Sequence, residues 1–310
     1  MKDLILTVTL NPALDKTILK TEKDIPLSKE KYIFSAGGKG INVSRALDSF
    51  KHPNLAIGLL AGVTGQTVRK LLREEKIKSN FINVKGETRT NLTIISTAKK
   101  EIKRAIEIGP RVSQVDMNRF KRQFQNVLKE SDCVVLAGRS ANGAHDSIYA
   151  QLITLAHKTN VMTVLDTSGK ALSEGIKAAP FMIKPNLMEA EEVLHTKLNS
   201  LKKVKEAINR FHQMGIKIVV ISLADKGAIG SNQREIYHAR TPKLSVKNDV
   251  GCGDSFLAGF LHSYCGDQSL KKAMHMGVAA GAANLNNYIP GLIDRKIFKQ
   301  MIQCVKIKKA

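Results

Sequence analysis

The sequence predicts an α/β fold in which helices cover both faces of a mostly parallel central sheet. Short β-branched or apolar runs alternate with longer amphipathic stretches through most of the 310 residues. Clusters of polar residues and glycine follow the apolar runs, at the points where strands would end. Open α/β sheets bind ligands at the carboxyl ends of their strands, so these clusters predict one shared crevice. The length favours a single domain of residues 1–310 with an embellishment.

The alternation predicts each element in turn. Apolar and β-branched runs predict strands at residues 4–10, 55–60, 133–137, 161–165, 181–184 and 217–222. Amphipathic stretches between them predict helices near residues 66–75, 114–130, 146–158, 187–194 and 199–213. Towards the end of the chain, the pattern predicts helices at 254–265, 269–287 and 293–304.

Two regions break this alternation. Residues 16–35 and 84–108 contain strand-like runs without helices between them, which predicts an accessory antiparallel sheet. If this sheet covers the crevice, it acts as a lid that excludes water and completes the site on closure. The alternative is a surface extension used only for dimerisation, and the two roles are compatible. Exposed edges of the lid strands favour a homodimer that forms through the lid.

Cysteine, histidine and apolar patterns argue against several other classes. The four cysteines are widely spaced without a Cys-x-x-Cys pair, and the eight histidines are scattered, so neither a disulfide framework nor a zinc site is predicted. The apolar run 4–10 is too short for a membrane span and runs into Asn11-Pro12 without a small-residue cleavage site. We therefore expect no membrane partner and a cytosolic location.

The formal net charge of +22 raises the question of nucleic-acid binding. The excess comes mostly from lysines spread along the chain, and the sequence has no tryptophan, no arginine cluster and no recognisable nucleic-acid module. This distribution favours a solvated, lysine-rich surface over a specific nucleic-acid partner. The positive field would still concentrate anionic substrates near the protein.

The stretch from Asp249 to Ser255, Asp-Val-Gly-Cys-Gly-Asp-Ser, carries the strongest chemical signal. Gly251 and Gly253 allow backbone N–H groups to turn toward a ligand, and the start of the following helix adds partial positive charge, which suits a phosphoryl group. A carboxylate repels phosphate, so Asp254 is better suited to accept a proton from an attacking hydroxyl. The alternative is an ordinary turn whose Asp or Ser caps a helix.

Several segments occur in a specific order along nearly the whole chain. They are Thr9-Leu-Asn-Pro-Ala-Leu-Asp15, Gly37-Gly-Lys-Gly-Ile-Asn-Val43, Lys85-Gly-Glu-Thr-Arg-Thr-Asn91, Gly109-Pro110, Asp166-Thr-Ser-Gly169, Lys184-Pro-Asn-Leu-Met-Glu189 and Gly251-Cys-Gly-Asp254. In this order and spacing the chain resembles the PfkB, or ribokinase-like, family of sugar kinases. Within that family it is most similar to the bacterial 1-phosphofructokinases and tagatose-6-phosphate kinases. The resemblance implies a ribokinase-like three-layer α/β/α domain with a small β-sheet lid.

Residue chemistry and the resemblance agree on a site for a polyol. Asp15 can accept hydrogen bonds from neighbouring sugar hydroxyls, and Asn42 can both donate and accept. Gly37 and Gly38 let the backbone approach the sugar. The alternatives are a turn after Pro12 for Asp15 and a helix cap for Asn42. A phosphate already on the sugar requires cations. The further substrate-binding residues expected are Lys39, Arg89, Asn91 and Arg139, with Lys103 or Arg104 of the lid as an additional cation.

The resemblance also implies a nucleotide site for ATP. Glu189 is expected to organise Mg²⁺ and its water shell. The Ala- and Gly-rich helix at 269–287 is expected beside the adenine, and close helix packing is the alternative for it. The nucleotide-binding residues implied by the resemblance are Lys184, Asn186, Ser222, Ala224, Gly227 and Asn284.

Several positions depart from the family pattern. The family usually has Gly-Ser-Leu-Pro after the middle strand, whereas residues 138–143 are Gly-Arg-Ser-Ala-Asn-Gly. Arg139 in this loop either strengthens the contact with the substrate phosphate or reshapes the pocket for another sugar phosphate. Ala224 replaces a glycine, Arg104 stands where an acidic residue is common in the fructose-1-phosphate branch, and Cys252 replaces an alanine. These departures leave the kinase class intact and bear on the choice of sugar phosphate.

The sequence thus predicts an ATP- and Mg²⁺-dependent kinase that phosphorylates the 6-hydroxyl of fructose 1-phosphate. Asp254 is the predicted general base, and the amides of Gly251, Cys252 and Gly253 are predicted to hold the developing charge. Tagatose-6-phosphate kinase and a minor 6-phosphofructokinase are the alternatives within the class. A non-catalytic sugar-phosphate sensor is the alternative from a different class.

Overall fold

A ten-stranded sheet and a four-stranded sheet form the framework of the protein. The computed structural model describes residues 3–20, 31–96, 101–241, 244 and 246–310. The strands are β1 (Ile5–Thr9), β2 (Ala13–Lys20), β3 (Lys31–Gly37), β4 (Asn54–Ala61), β5 (Ser79–Val84), β6 (Arg89–Ser96), β7 (Glu101–Ile106), β8 (Cys133–Ala137), β9 (Met162–Asp166), β10 (Met182–Ile183), β11 (Ile218–Ser222), β12 (Ala228–Ser231), β13 (Ile236–Arg240) and β14 (Lys306–Lys309). The helices are α1 (Lys39–Ser49), α2 (Gly62–Glu74), α3 (Gln114–Leu128), α4 (Ile148–His157), α5 (Gly169–Ile176), α6 (Leu187–Leu194), α7 (Leu201–Gln213), α8 (Cys252–Asp267), α9 (Leu270–Asn284) and α10 (Arg295–Cys304). None of these helices combines the length and the apolar character that a membrane span requires.

The large sheet has the strand order β14-β13-β12-β11-β10-β9-β8-β1-β4-β5. Neighbouring strands from β11 to β5 pair in parallel, while β12, β13 and β14 are added antiparallel. The predicted mostly parallel central sheet is therefore confirmed. One edge of this sheet is β14, whose sequence Lys-Ile-Lys-Lys exposes its three lysines.

Helices cover both faces of the large sheet. On one face, α3 to α7 pack through a core that includes the fully buried Phe120, Tyr149 and Phe211. On the other face, α1, α8, α9 and α10 pack through a second core that includes Val43 and Phe260. Because both faces are covered, the central strands β1 and β8 consist entirely of buried residues. The predicted three-layer α/β/α arrangement is confirmed.

The small sheet has the order β3-β2-β6-β7 and contains the strands predicted for the lid. The prediction that this sheet is antiparallel was wrong at its centre, where β2 pairs in parallel with β6. The outer pairs, β2 with β3 and β6 with β7, are antiparallel. A parallel pair joins strands that are distant in sequence, and strand-like runs alone carry no information about such a pairing. Residues 21–30 and 97–100 of the predicted lid lie outside the described residues.

Several elements are absent from the sequence-based prediction. Helix α1 contains an uninterrupted run of buried residues at 40–47, including Asn42 and Arg45, so it lacks the polar face that makes an amphipathic helix recognisable. Helix α5 has only 8 residues, and in β5 burial does not alternate with exposure. Strands β12, β13 and β14 have 4, 5 and 4 residues. Such short runs give too few positions for an alternating pattern to stand out.

Candidate active site

Helices α1 and α8 both begin at the edge of the large sheet where the parallel strands end. Their N-caps are Gly38 and Gly251, with φ angles of 119° and 85°. A side chain at Gly251 would place its Cβ 2.9 Å from Pro290, so both the backbone angle and the available space require glycine there. The N–H groups of Gly253 and Asp254, in the first turn of α8, have no acceptor within the helix. This start of α8, which we call the α8 cradle (residues 251–254), is suited to bind an anion.

Asp254 lies in the first turn of α8 and is 5% exposed. Its Oδ2 accepts a hydrogen bond from Asn42 Nδ2 at 2.8 Å. Burial raises the pKa of Asp254 to about 6, although the charges of Lys39 and Lys184 and the bond from Asn42 act in the opposite direction. At pH 7 the group is therefore mostly a carboxylate that can accept a proton, as a general base must.

Asp166, at the end of β9, holds two lysine side chains at the same edge. Its Oδ1 lies 3.0 Å from Lys39 Nζ, and its Oδ2 lies 3.2 Å from Lys184 Nζ. Burial would raise the pKa of Asp166, but the two ammonium groups together lower it. Burial would likewise lower the pKa of Lys39, but Asp166, Asp254 and Glu189 raise it. The polar cluster after β9 marks Asp166 in the sequence, but only the structure shows that it anchors both lysines.

The lid contributes a second polar group around Asp15. Asn91 Nδ2 donates to Asp15 Oδ1 at 2.7 Å. Burial raises the pKa of Asp15, against the lowering effects of Asn91, Arg45 and Arg89. A Cβ at Gly37 would clash with the Asp15 carboxyl group, so only glycine leaves room for it on the neighbouring strand. The predicted residues Asp15, Gly37 and Asn91 are thus brought together.

Arg89 lies beside this polar group, and Arg139 lies near Arg89. Arg89 of the lid donates to Asn91 Oδ1 at 3.1 Å and to Asn11 O at 3.0 Å. Arg139 extends from the loop after β8 and is exposed. Burial lowers the pKa of Arg89, and the nearby charge of Arg139 lowers it further, while Asp15 raises it. The two guanidinium groups therefore lie close enough for their charges to interact, and such a pair of cations can bind a phosphate.

A pocket of about 590 Å³ adjoins the α8 cradle. Phe256 of α8 and Val278 and Ala282 of α9 form much of its apolar wall. Lys184 connects the pocket to the cradle, since a Cβ added to Gly253 would lie 3.3 Å from Lys184 Nζ. An apolar wall next to a cationic end suits a flat heterocycle with an anionic tail. The predicted nucleotide-binding residues that line this pocket are Lys184, Ser222, Ala224 and Gly227.

Ala224 occupies a backbone conformation that favours glycine. Its φ angle is 53°, in the left-handed region, at the start of a 3₁₀ turn over residues 224–226. The replacement of glycine by alanine here costs roughly 1 kcal/mol of backbone strain. A separate depression of about 700 Å³ beside His262 and Lys272 contains none of the predicted site residues.

Asn186 and Glu189 form a capping box at the start of α6. Asn186 Oδ1 accepts from Glu189 N at 2.9 Å, and Glu189 Oε2 accepts from Asn186 N at 2.8 Å. This box leaves Glu189 Oε1 for other partners. Within the described ranges, no group of three or more His, Cys, Asp or Glu residues could hold a metal ion. A single carboxylate fits Mg²⁺, which keeps several waters and binds largely through substrate phosphates.

Asn284 is fully buried at the end of α9. Its Nδ2 donates to Val250 O at 2.8 Å, and its Oδ1 accepts from Gly291 N at 2.8 Å. In the structure it therefore connects the loop before α8, at Val250, to the loop before α10, at Gly291. A direct role for Asn284 beside the adenine stays a prediction.

Both lid cations considered in the sequence have acidic partners. Arg104 forms an ion pair with Asp249, in the loop before the α8 cradle. The side chain of Lys103 is 69% exposed and lies 3.6 Å from Glu101 of the same strand. Arg104 thus links the lid to the cradle loop, while Lys103 lies on the solvated surface.

A family model described as pfkB family carbohydrate kinase matches residues 8–291, which is most of the chain. The chain belongs to the pfkB family of carbohydrate kinases. It is therefore an ATP-dependent enzyme that phosphorylates a sugar substrate, and the predicted family and enzyme class are confirmed.

Relatives of this pfkB-family kinase carry two related names. The chain is 33% identical over 308 residues to the 1-phosphofructokinase of Bacillus subtilis (strain 168), and the match covers 99% of this chain and 100% of the relative. It is 31% identical over 311 residues to a tagatose-6-phosphate kinase of Staphylococcus epidermidis, with 96% and 98% covered. Among solved structures, phosphofructokinase-2 from Escherichia coli in complex with potassium has a TM-score of 0.88 at 26% identity, with 96% of this chain and 98% of that chain covered.

Proposed function

We propose that this kinase transfers the γ-phosphoryl group of ATP to the 6-hydroxyl of fructose 1-phosphate and produces fructose 1,6-bisphosphate. The observation that carries the proposal is the buried Asp254 carboxyl group, which Asn42 holds beside the α8 cradle. The relative named 1-phosphofructokinase, at 33% identity, supports the choice of sugar phosphate.

The proposed reaction depends on positioning and charge neutralisation. As the 6-hydroxyl oxygen bonds to the γ-phosphorus, Asp254 accepts the hydroxyl proton. The bond between that phosphorus and the bridging oxygen breaks, and ADP leaves with the electron pair. The amides of the α8 cradle and the Lys184 ammonium stabilise the charge of the transferred group. No covalent enzyme intermediate is required.

On the sugar side, we assign the hydroxyl contacts to Asp15, Asn42 and Asn91, with the backbone of Gly37 and Gly38 against the ring. The existing phosphate is bound by cations from the lid, from the start of α1 and from the loop after β8. Two guanidinium groups and an ammonium group suit a substrate that is already phosphorylated. These cations are Lys39, Arg89 and Arg139.

On the nucleotide side, ATP occupies the pocket of about 590 Å³, with its ring against the apolar wall of α8 and α9. Glu189 is the proposed protein ligand of Mg²⁺, and the bound metal neutralises phosphate charge. The residues proposed to border the nucleotide are Lys184, Asn186, Ser222, Ala224 and Gly227. Asn284 is proposed to support the wall of the nucleotide pocket.

A coupled ADP-release assay with three sugar phosphates tests the substrate. We expect the highest kcat/KM with fructose 1-phosphate, compared with tagatose 6-phosphate and fructose 6-phosphate. A higher value with tagatose 6-phosphate would instead indicate a tagatose-6-phosphate kinase, the activity in the name of the relative that is 31% identical. Binding of these sugars without turnover of any of them would favour the sugar-phosphate sensor.

We also propose a homodimer that forms through the lid. The lid and the segment after it expose large apolar side chains, with Phe34 46%, Ile106 54% and Ile108 83% exposed. A related protein is known to assemble, since one solved structure is the tetrameric inhibited form of phosphofructokinase-2 from Escherichia coli. Sedimentation velocity should show a dimer that Ile106→Lys weakens, and a monomer at all concentrations would refute the proposal.

We propose that residues 1–310 form one kinase domain, with the lid formed by about 16–35 and 84–108. We place it in the cytosol, a reducing compartment that suits free cysteines. All four cysteines are free in the structure, namely Cys133, Cys252, Cys265 and Cys304.

A further inference from the structure

Arg45 lies behind Asn42 and connects it to the rest of the fold. Arg45 is 3% exposed, and its Nη1 donates to Asn42 Oδ1 at 3.1 Å. Asn42 in turn donates to Asp254 Oδ2 at 2.8 Å. We propose that Arg45 is a positioning residue for phosphoryl transfer, because it sets the orientation of the amide that holds Asp254. The inference rests on the proposed role of Asp254 as the general base.

The orientation of the Asn42 amide follows from the chemistry of arginine. A guanidinium group has only hydrogen-bond donors, so the amide atom that faces Arg45 must be the oxygen. The NH₂ group of Asn42 is therefore turned to Asp254. The reverse orientation would place the amide oxygen against the carboxylate and the NH₂ group against the guanidinium. Arg45 thus selects the one orientation in which Asn42 stabilises Asp254 as a carboxylate.

Arg45 is itself held by partners on three sides. Its Nη1 also donates to Pro290 O at 2.6 Å, and its Nη2 donates to Ala36 O at 2.6 Å. Its Nε and Nη2 donate to the two carboxylate oxygens of Glu75, at 2.5 Å and 3.1 Å. These partners belong to the loop before α10, to strand β3 and to the end of α2. Because several elements fix the guanidinium, it can act as a rigid reference for Asn42.

Through Pro290, the contacts of Arg45 also extend to the α8 cradle. Pro290 accepts from Arg45, and a Cβ on Gly251 would lie 2.9 Å from Pro290, so the two segments are in close contact. The next residue, Gly291, donates to Asn284, which also holds the loop before α8. Arg45 therefore supports both the proton acceptor and the adjacent anion site.

For Asp254, the bond from Asn42 has two consequences. It occupies Oδ2 and leaves Oδ1 to receive the proton. It also favours the ionised form, because a hydrogen bond to a carboxylate lowers its pKa. The charged groups that face Asp254 are Lys39 and Lys184, which lower its pKa, and Asp166, which raises it. A substitution of Arg45 leaves all three of these groups in place.

The variant Arg45→Met frees the Asn42 amide to rotate. We expect kcat to fall about 10- to 100-fold, while KM for ATP changes by less than about threefold. The acid limb of the kcat–pH profile should move upward by about one pH unit from its position near pH 6. Arg45→Lys keeps the charge beside Glu75 but loses the planar fork of the guanidinium group, so it is expected to show the same shift. It replaces Arg45→Met in the experiment if that variant folds poorly.

Glu75→Gln is the matched control. It removes the counter-ion of Arg45 but leaves the bond between Arg45 and Asn42. We expect a lower Tm, a kcat within about twofold of the unaltered enzyme and an unchanged pH profile. If Arg45 had only a structural role, Arg45→Met and Glu75→Gln would both lower Tm and neither would shift the pH profile. That result would overturn the inference.

A titration without substrate separates this inference from the proposed function. In protein labelled with ¹³C at aspartate carboxyl groups, the Asp254 resonance can be assigned by its loss in Asp254→Asn. Its pKa should rise by about one unit in Arg45→Met and stay constant in Glu75→Gln. An unchanged Asp254 titration in Arg45→Met would refute the inference, whichever sugar phosphate is used. If the unaltered enzyme uses none of the three sugar phosphates, this titration alone decides.

Discussion

The large sheet and the lid both supply side chains to the site, but they hold them in different ways. At the edge of the large sheet, Asp166 and Lys184 are 1% and 4% exposed and pair with each other. In the lid, β7 is exposed at every position except one that is half-buried, and Arg89 is half-buried. Helices cover both faces of the large sheet and exclude water from its charged groups. The lid leaves much of its surface in contact with water.

This difference in burial separates two tasks. Where water is excluded, a paired charge keeps its place and its altered pKa before any ligand arrives. Where water has access, charges are screened and contribute little until a substrate covers them. The residues proposed for chemistry therefore lie on the large sheet and its helices, whereas half of those proposed for sugar recognition lie on strands of the lid.

Asp254→Asn tests the proposed general base, which lies on a helix of the large sheet, and has the largest expected effect. Asparagine keeps the size of the side chain and can still accept the bond from Asn42, but it cannot take a proton from a hydroxyl. We expect kcat to fall roughly 10²- to 10⁴-fold, with small changes in KM for both substrates. Steady-state kinetics measure both constants. Turnover close to that of the unaltered enzyme would mean that the base lies elsewhere.

Paired truncations compare the stability that each sheet contributes. Phe120→Ala removes a ring that is fully buried under the large sheet, and the free energy of unfolding should fall by about 3–5 kcal/mol. Phe34→Ala removes a lid ring that is 46% exposed, and the free energy should change by about 0.5 kcal/mol or less. Urea denaturation measures both. Equal losses would contradict the difference drawn between the sheets.

Arg89→Met tests the lid as the element that recognises the sugar. Loss of a charged hydrogen-bond donor costs roughly 1.5–3 kcal/mol, so KM for the sugar phosphate should rise about 10- to 100-fold. We expect kcat and KM for ATP to change much less. Lys103→Met, on the solvated side of the lid, serves as the control and should leave all constants within about twofold. A fall confined to kcat would instead place Arg89 in the chemical step.

Asp254→Asn should also stabilise the fold at neutral pH. The folded-state pKa of about 6 lies above the ordinary value of 3.8, so the stability from this group is full below 3.8 and is lost as the pH rises through 6. Above that range the native protein holds a buried charge, which asparagine removes. The gain at pH 7.5 should be on the order of 2 kcal/mol and should shrink toward pH 4. Urea denaturation at both pH values checks this, and a variant that is less stable at pH 7.5 would disprove it.

The layers of the large sheet are predictable from sequence because strands buried on both faces are continuous apolar runs. The predicted strand 133–137 coincides with β8, and 217–222 differs from β11 by one residue. Helix α1 escapes prediction because the polar residues Asn42 and Arg45 are buried among apolar ones. In a sequence, a polar residue that faces a site looks the same as one that faces water.

The candidate site is predictable in its residue types and less so in its contacts. Lys39, Lys184 and Asp254 follow from motifs at three places in the chain, and the structure brings them together. The ion pair of Lys39 with Asp166 joins residues 127 positions apart in sequence, and the bond from Asn42 to Asp254 joins residues 212 positions apart. Contacts over such separations depend on the order of strands in the sheet, which local patterns do not encode.

The lysines of β14 have a consequence for the behaviour of the protein in concentrated solution. An edge strand offers unpaired backbone groups to which another chain can add. A second β14 on this edge would bring lysines into register at a strand spacing of about 4.8 Å. Like charges at that spacing repel, so the edge resists fibril-like stacking at low ionic strength, and high salt should weaken this protection.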